Sequence, residues 1–248
     1  MIKEQSKLRV LLFQIRDEPS IRQEEHESFV RYSGLSHDQI DILNVFDRPQ
    51  FSPSVLQGYD ALLIGGASEA SVLEPETFQF VENGKTLIQF CIEHSIPVFA
   101  SCFGFQMAIQ ALGGEVIREE TEFEMGTIAI ELTEAASRDP LFRNVPDGFL
   151  AVSVHQEKAL TLPAGCQLLA KTNECAHAFR VVGKPFWAFQ FHPEVDRSTL
   201  VTRLTFFRDR YTAGDDHLSN VIDHARETPE SNKLVRKFIE LLSTEDHH

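Results

Sequence analysis

The stretch that decides the fold joins a short apolar run to a helical pattern through a cysteine: Phe99-Ala100-Ser101-Cys102-Phe103-Gly104-Phe105-Gln106. Small residues around the cysteine are typical of a sharp turn between a strand and a helix. Such a turn presents its central side chain beyond the carboxyl end of the strand. The start of the following helix favours a thiolate through its dipole. Cys102 is therefore a candidate nucleophile.

A second motif lies far downstream, in the segment Phe189-Gln190-Phe191-His192-Pro193-Glu194. A thiol becomes a useful nucleophile when an imidazole takes or shares its proton, and a carboxylate then fixes the tautomer of that imidazole. His192 and Glu194 can supply both groups. An isolated buried cysteine is more often a packing residue, but the two motifs together predict a Cys-His-Glu triad of Cys102, His192 and Glu194.

Composition limits the class of protein. The chain has 248 residues and a formal net charge of −14, so we expect one domain, with a core at about 8–195 and a helical C-terminal extension at about 196–248. The negative charge argues against nucleic-acid binding. We expect no membrane partner and a cytoplasmic location, because the sequence has no long apolar run and no signal-peptide pattern. Its four cysteines form no CxxC pair, which is typical of a reducing compartment.

Hydrophobic periodicity predicts the architecture. Apolar runs alternate with segments of helical or turn character, which favours an α/β fold with a parallel sheet covered on both faces. The runs are Leu8–Ile15, Ile40–Phe46, Ala61–Gly66 and Pro97–Cys102. A long helix is expected over roughly Pro75–His94, weakened in its middle by Asn83-Gly84. Another helix is expected over Phe103–Leu112, ended by Gly113-Gly114.

The second half of the chain has a different pattern. Short strand-like pieces separated by turn residues predict hairpins or a mixed-sheet extension. The pieces are Thr127–Leu132, Phe149–Val154, Cys166–Lys171, Ala176–Val182 and Pro185–Phe191. Beyond Asp196 two helices are expected, at about Ser198–Tyr211 and Pro229–Leu242.

Two backbone elements are candidates for an oxyanion hole. The N–H of Phe103 lies at the turn itself, and the pair Gly65-Gly66 ends the third apolar run, where missing side chains let a substrate carbonyl approach the backbone. The histidines outside the two motifs and the segment around His155 have no metal-ligand spacing and are expected to be structural. They are His26, His37, His94, His177, His217 and His224, and the C-terminal pair His247-His248 is assigned no function. The sequence therefore predicts no metal site and no nucleotide cofactor.

These motifs together resemble the class I glutamine amidotransferase family, and in particular its free-standing members related to the glutaminase domain of GMP synthase. The matching positions are Cys102, Gly104 and Gln106 in the turn, the pair Gly65-Gly66, and His192, Pro193 and Glu194. The resemblance implies a flavodoxin-like open, mostly parallel sheet with a mixed extension. Two positions depart from the usual pattern: Ala100 replaces a glycine, and Ala67 stands where proline is common.

The resemblance implies that Cys102 attacks a γ-carboxamide carbon and forms a γ-glutamyl thioester, with release of glutamate and ammonia. Gly66 and Phe103 would form the oxyanion hole, and Gly65 and Gln106 would contact the bound glutamine. The segment 151–156 resembles a family strand and loop at the site, which makes Ser153 and His155 further candidates for substrate contact.

Three functions remain open at this stage. In the first, the protein releases ammonia from glutamine for a separate synthetase subunit, since no Walker loop is present in the chain. In the second, it is a free-standing hydrolase of γ-glutamyl peptides or other γ-glutamyl amides. In the third, it is a catalytically silent binding or regulatory protein on the same scaffold.

Overall fold

The computed structural model describes residues 3–119, 123–208 and 215–243. Its strands are β1 (Val10–Gln14), β2 (Ile40–Asn44), β3 (Ala61–Ile64), β4 (Val98–Ser101), β5 (Ile117–Arg118), β6 (Glu124–Leu132), β7 (Phe149–His155), β8 (Glu157–Lys158), β9 (Cys166–Lys171), β10 (Ala176–Val181) and β11 (Phe186–Phe189). Its α-helices are α1 (Pro19–Ser33), α2 (Phe80–His94), α3 (Phe103–Ala111), α4 (Arg197–Phe206), α5 (Asp215–His224) and α6 (Pro229–Leu242).

Nine of the described strands form one sheet in the order β2-β1-β3-β4-β11-β10-β9-β6-β7. The first five are parallel, and from β11 onward each strand is antiparallel to its neighbour. A small antiparallel pair, β5 and β8, lies apart from this sheet. The predicted α/β fold with a mostly parallel sheet and an antiparallel extension is confirmed.

The sheet separates two hydrophobic cores because successive side chains of a strand point to opposite faces. In β1, Leu11 and Phe13 join the core that contains the apolar residues of α2 and α3. Val10 and Leu12 join the other core, together with Phe29 of α1 and Phe238 of α6. All five residues of β1 are buried, as expected for a parallel strand covered on both faces.

The structure differs from the sequence-based expectation in the long helix. It begins at Phe80 instead of Pro75, since the preceding residues form turns in which the N–H groups of Thr77 and Phe78 donate to the carbonyl of Glu74. Gly84 does not split it. A Cβ at Gly84 would lie 2.4 Å from Sδ of Met107, so the glycine permits the close approach of α3.

The C-terminal region contains a helix that the sequence did not predict. Two helices were expected after Asp196, but α5 lies between α4 and α6. Its apolar residues Leu218, Val221 and Ile222 have helical spacing, so the pattern is present in the sequence but short. Leu218 and Val221 pack with Val152 and Met125 in a third apolar cluster. The expected helix end at Tyr211 lies outside the described residues.

None of the helices within the described ranges combines the length and hydropathy needed to cross a bilayer.

Candidate active site

Cys102 occupies the turn between β4 and α3. Its backbone angles, φ 47° and ψ −97°, lie in a region that non-glycine residues rarely adopt. Two hydrogen bonds fix the turn: the N–H of Cys102 donates to Phe189 (2.7 Å), and its carbonyl accepts from Gln106 (3.1 Å). Backbone strain of this kind costs about 1–3 kcal/mol and is concentrated at functional sites. The turn therefore holds the thiol at the carboxyl ends of the parallel strands.

Gly104 lets the helix start this close to the sheet. A Cβ at this position would lie 2.8 Å from Cγ2 of Ile64 and 3.1 Å from Cβ of Ala100. Real Cβ atoms do not tolerate the first distance, so the residue after the turn has to be glycine. Ala100, which departs from the family pattern, leaves enough room for this packing.

His192 and Glu194 follow β11 and lie beside the turn. The Nδ1 atom of His192 is 2.8 Å from Oε1 of Glu194, and both side chains are buried. The backbone N–H of His192 donates to the carbonyl of Val152 at 2.8 Å, which ties this segment to β7. The carboxylate therefore fixes the tautomer of the imidazole and leaves Nε2 for the thiol or the substrate.

The electrostatics of the pair favour a protonated imidazole. Burial lowers the pKa of His192, but the negative charges of Cys102 and Glu194 outweigh it and raise the pKa to about 9. Burial raises the pKa of Glu194, but the charge of His192 and its hydrogen bond outweigh burial and lower it. At neutral pH the site therefore holds an imidazolium ion against a carboxylate, as in a thiolate–imidazolium mechanism.

The two expected oxyanion donors lie next to the triad. A Cβ at Gly66 would lie 2.6 Å from Cε1 of His192 and 3.4 Å from Cβ of Cys102, so only glycine leaves space for a reacting carbonyl there. Phe103 is the first residue of α3, and the N–H of a first helical residue has no acceptor within its own helix. Both positions fit an oxyanion hole.

Gly65, the first residue of the glycine pair, lies beside a buried ion pair. Its N–H donates to the carbonyl of Phe13 at 3.1 Å, and a Cβ there would lie 2.7 Å from Oε1 of Glu25. The glycine makes room for the buried ion pair of Glu25 with Arg16, whose Nε and Oε1 atoms are 2.9 Å apart. Gly65 therefore supplies space for this ion pair, and its contact with a bound glutamine stays a prediction.

A cavity of about 270 Å³ opens in front of the thiol. Cys102, Phe103, Gln106 and His155 line it. Gln106 donates from Nε2 to the carbonyl of Glu157 at 2.8 Å, which orients its amide oxygen as an acceptor. Ser153 is fully buried, its hydroxyl has no hydrogen-bond partner among the described residues, and it does not line the cavity.

His155 links this cavity to a second cluster of polar side chains. Its Nε2 atom is 3.1 Å from Oε2 of Glu124, and Nε2 of His177 is 2.6 Å from the same oxygen. The sequence predicts a structural role for His177, and the structure places its ring 5.7 Å from that of His155. The segment after β11 lies between the two strands, since the N–H of Gln190 donates to the carbonyl of His177 and that of His192 to the carbonyl of Val152.

Two further residues at the site are not predicted by the sequence motifs. The Nε2 atom of Gln190 is 4.0 Å from Sγ of Cys102. Gln190 lies two residues before His192 in the sequence, and this position could have indicated that it belongs to the site. Arg118 lines the cavity and pairs with Glu157 (2.7 Å) and Glu74 (2.9 Å). Arg118 lies on a strand of two residues, which is too short to show a sequence pattern, so the sequence does not predict that it lines the cavity.

Comparison with known proteins identifies the family. Residues 40–208 match the family described as glutamine amidotransferase class-I. The chain belongs to this family. A glutamine-hydrolyzing GMP synthase of Thermotoga maritima is 33% identical to this class I glutamine amidotransferase over 149 residues, which are 60% of the chain and 27% of that protein. The chain thus spans about a quarter of the length of that relative.

Two further relatives match over most of their length. Gamma-glutamyl peptidase 4 of Arabidopsis thaliana is 27% identical over 216 residues, which cover 86% of this amidotransferase and 83% of that protein. The crystal structure of a glutamine amidotransferase from Thermotoga maritima superposes with a TM-score of 0.77. The superposition covers 96% of this chain and 99% of the crystallised one, and the two sequences are 21% identical. The two proteins therefore share a fold.

Proposed function

We propose that this protein hydrolyses a γ-glutamyl amide through the triad Cys102, His192 and Glu194. In the first step the thiolate of Cys102 attacks the γ-carbonyl carbon, and the carbonyl oxygen takes the negative charge. When the C–N bond breaks, the imidazolium of His192 gives its proton to the leaving amine. The products of this step are a γ-glutamyl thioester on Cys102 and a free amine.

The second step regenerates the enzyme. Water attacks the thioester carbonyl, and His192, now neutral, takes its proton. The C–S bond breaks to release glutamate and the thiolate of Cys102. Glu194 stays ionised and holds the imidazole through both steps. The N–H groups of Gly66 and Phe103 are the proposed donors to the developing oxyanion, and each such donor contributes about 3 kcal/mol to the transition state.

The observation that carries this proposal is the backbone of Cys102. A residue with a Cβ at φ 47° is held there at a cost in folding free energy, and a packing cysteine needs no such conformation. The strained turn directs the thiol into the cavity lined by Gln106. Beside it lies an imidazole already bonded to a carboxylate.

The other cysteines differ from Cys102 in their backbone or surroundings. Burial raises the pKa of the Cys91 thiol to about 12 and that of Cys166 to about 11. Burial, with a further contribution from Glu124, raises that of Cys175 to about 12. These three thiols are protonated at neutral pH and react slowly with alkylating reagents.

For the substrate we favour glutamine, whose amine product is ammonia. Gln106 lines the cavity, and the relative from Thermotoga maritima is named for glutamine hydrolysis and GMP synthesis. In that case a separate synthetase subunit would take the ammonia. A second candidate substrate is a γ-glutamyl peptide. It is favoured by the alignment to gamma-glutamyl peptidase 4, which extends over 83% of that protein.

The experiment is a measurement of glutamate release from glutamine and from a panel of γ-glutamyl dipeptides. Wild-type protein is compared with Cys102→Ala, and Cys166→Ser serves as the matched control because Cys166 lies on β9, away from the cavity. We expect turnover in the wild type and in Cys166→Ser, and none in Cys102→Ala. A higher kcat/KM for glutamine selects the first substrate, and a higher value for dipeptides selects the second.

Alkylation with iodoacetamide separates an inactive scaffold from an enzyme that was offered the wrong substrate. We expect Cys102 to be modified faster than Cys91, Cys166 and Cys175, as measured by peptide mass spectrometry over time. Equal rates at all four cysteines, together with no turnover of any substrate, would refute the proposed hydrolase and leave the silent binding protein.

A further inference from the structure

We propose that Glu124, His155, Cys175 and His177 form a zinc site that joins the antiparallel half of the sheet beside the active site. The four residues come from the start of β6, the end of β7 and the beginning of β10. This inference does not depend on the proposed hydrolase function.

The ligand atoms already converge on one point. The Oε2 atom of Glu124 is 2.6 Å from Nε2 of His177, 3.1 Å from Nε2 of His155 and 3.8 Å from Sγ of Cys175. One ligand atom from each of the four residues lies within 4.8 Å of the others. Zinc bonds of about 2.0–2.3 Å place tetrahedral ligand atoms roughly 3.3–3.8 Å apart. Side-chain movements of about an ångström therefore suffice to enclose the ion.

The cluster is closed by protein. His177 is fully buried, and His155 and Cys175 are each only 6% exposed. A buried divalent ion is tolerated when its ligands neutralise it. Zn²⁺ has a charge of +2, which the carboxylate of Glu124 and the thiolate of Cys175 balance, while the two imidazoles bind as neutral ligands. Binding releases the thiol proton of Cys175 to solvent.

Among the described residues, the two imidazole rings of the cluster form hydrogen bonds only with Glu124. The Nδ1 atoms of His155 and His177 are buried and have no hydrogen-bond partner among the described residues. Both rings therefore direct their bonded nitrogen at the same carboxylate oxygen. In the triad, by contrast, Glu194 holds one imidazole through Nδ1. One carboxylate is enough to orient one imidazole. Here two imidazoles and a thiol surround the same carboxylate, which is the arrangement of a ligand set.

The donor set selects zinc. Imidazole nitrogen, thiolate sulfur and carboxylate oxygen in a four-coordinate arrangement are typical zinc ligands, whereas calcium and magnesium prefer oxygen ligands alone. With four protein ligands no position is left open for water, which is the pattern of a structural site.

The position of the site gives it a role in supporting the cavity wall. His155 lines the cavity, and the carbonyl of its neighbour Val154 lies 4.0 Å from Sγ of Cys102. A metal ion held by His155 and by two residues near the start of β10 would fix the end of β7 at this wall.

The first test measures metal content in the full chain without an added affinity tag. The protein is dialysed against zinc and then against metal-free buffer, and we expect elemental mass spectrometry to find about one zinc per chain. The melting temperature should be several degrees higher than that of chelator-treated protein. Cobalt(II) should replace zinc and give the near-ultraviolet charge-transfer band of a thiolate ligand.

Variants assign the ligands. The cobalt band should persist in Cys102→Ala, which removes the catalytic thiol, and in Cys166→Ser. It should disappear in Cys175→Ser, and His177→Gln should no longer retain zinc through dialysis. If Cys175→Ser fails to fold, a thiolate band in the double variant Cys102→Ala/Cys166→Ser still supports the proposal. Absence of both zinc and the cobalt band from wild-type protein overturns it, as does a band that survives in folded Cys175→Ser.

Discussion

The two halves of the sheet each place a carboxylate against imidazole, but they assemble the pair in different ways. In the parallel half, His192 and Glu194 are two residues apart on the segment that follows β11. In the antiparallel half, Glu124 meets His155 and His177 from 31 and 53 residues away. The first arrangement is visible in a short motif, whereas the second exists only after β6, β7, β9 and β10 have paired.

The difference also separates two kinds of chemistry. The imidazole of the parallel half has one nitrogen bonded to Glu194, so the other is available to a thiol at a strained turn. Each imidazole of the antiparallel half has its bonded nitrogen directed at Glu124 and its other nitrogen buried. We therefore assign proton transfer to the parallel half and support of the cavity wall to the antiparallel half.

The largest expected effect follows from Cys102→Ala. Removal of the nucleophile should lower kcat/KM for γ-glutamyl amide hydrolysis by about 10⁴-fold or more. The lost side-chain volume is small, so the free energy of unfolding should change by about 1 kcal/mol or less. Glutamate release and urea denaturation measure the two quantities. A variant that keeps a substantial fraction of the activity would move the chemistry away from the parallel half.

Substitution of the two carboxylates compares the halves directly. Glu194→Gln should lower kcat by about 10²- to 10⁴-fold, because the amide keeps the contact with His192 but no longer enforces its tautomer or stabilises its charge. Glu124→Gln should lower kcat by less than about tenfold, because its carboxylate touches no reacting atom. Steady-state kinetics of both variants give the ratio of the two losses in kcat. Equal losses would remove the functional distinction between the two carboxylates.

The pH dependence of wild-type turnover tests the electrostatics of the parallel half. Since the pKa of His192 is raised to about 9, the imidazolium is present below that pH and is lost above it. We expect kcat/KM to fall as the pH rises through about 9, approaching a tenfold loss per pH unit beyond it. A pH–rate profile from pH 6 to about 10.5 measures this limb. A decline already complete near the ordinary histidine pKa of about 6.5 would contradict the charge arrangement.

The smallest expected effect is on the packing that holds the turn. Gly104→Ala places a methyl group 2.8 Å from Ile64 and should destabilise the protein by about 1–3 kcal/mol. Turnover should fall only a few-fold, because the triad is displaced but intact. Gln110→Ala, further along α3 and half-buried, serves as the control and should change stability by about 0.5 kcal/mol or less. A fully stable Gly104→Ala variant would show that α3 does not need this close approach.

The sequence predicted most of the parallel half because its signals are local. The apolar runs gave β1 to β4, and the small residues around Cys102 gave the turn. The residue types of two short segments predict the triad, whose catalytic role stays a prediction. In these regions hydrophobic period and turn chemistry agree with the tertiary structure, so local reasoning suffices.

The features that the sequence did not reveal depend on long-range packing. Gly84 reads as a helix breaker, but its missing side chain admits Met107. Helix α5 has few apolar residues and is fixed by contacts of Leu218 and Val221. His177 becomes a partner of Glu124 only through strand pairing. Spacing along the chain does not reveal the contacts of Gly84 and His177, and the apolar spacing of α5 indicates a helix without showing what it packs against.

Selection for thermal stability would act against the backbone conformation of Cys102. Glycine adopts a positive φ without strain, so Cys102→Gly would relieve part of the folding cost at the turn while deleting the nucleophile. A library selected only for thermal stability should therefore accumulate substitutions that inactivate the enzyme at this position. A screen for more thermostable variants of this protein therefore has to measure turnover as well as melting temperature. Otherwise it will select variants that have lost Cys102.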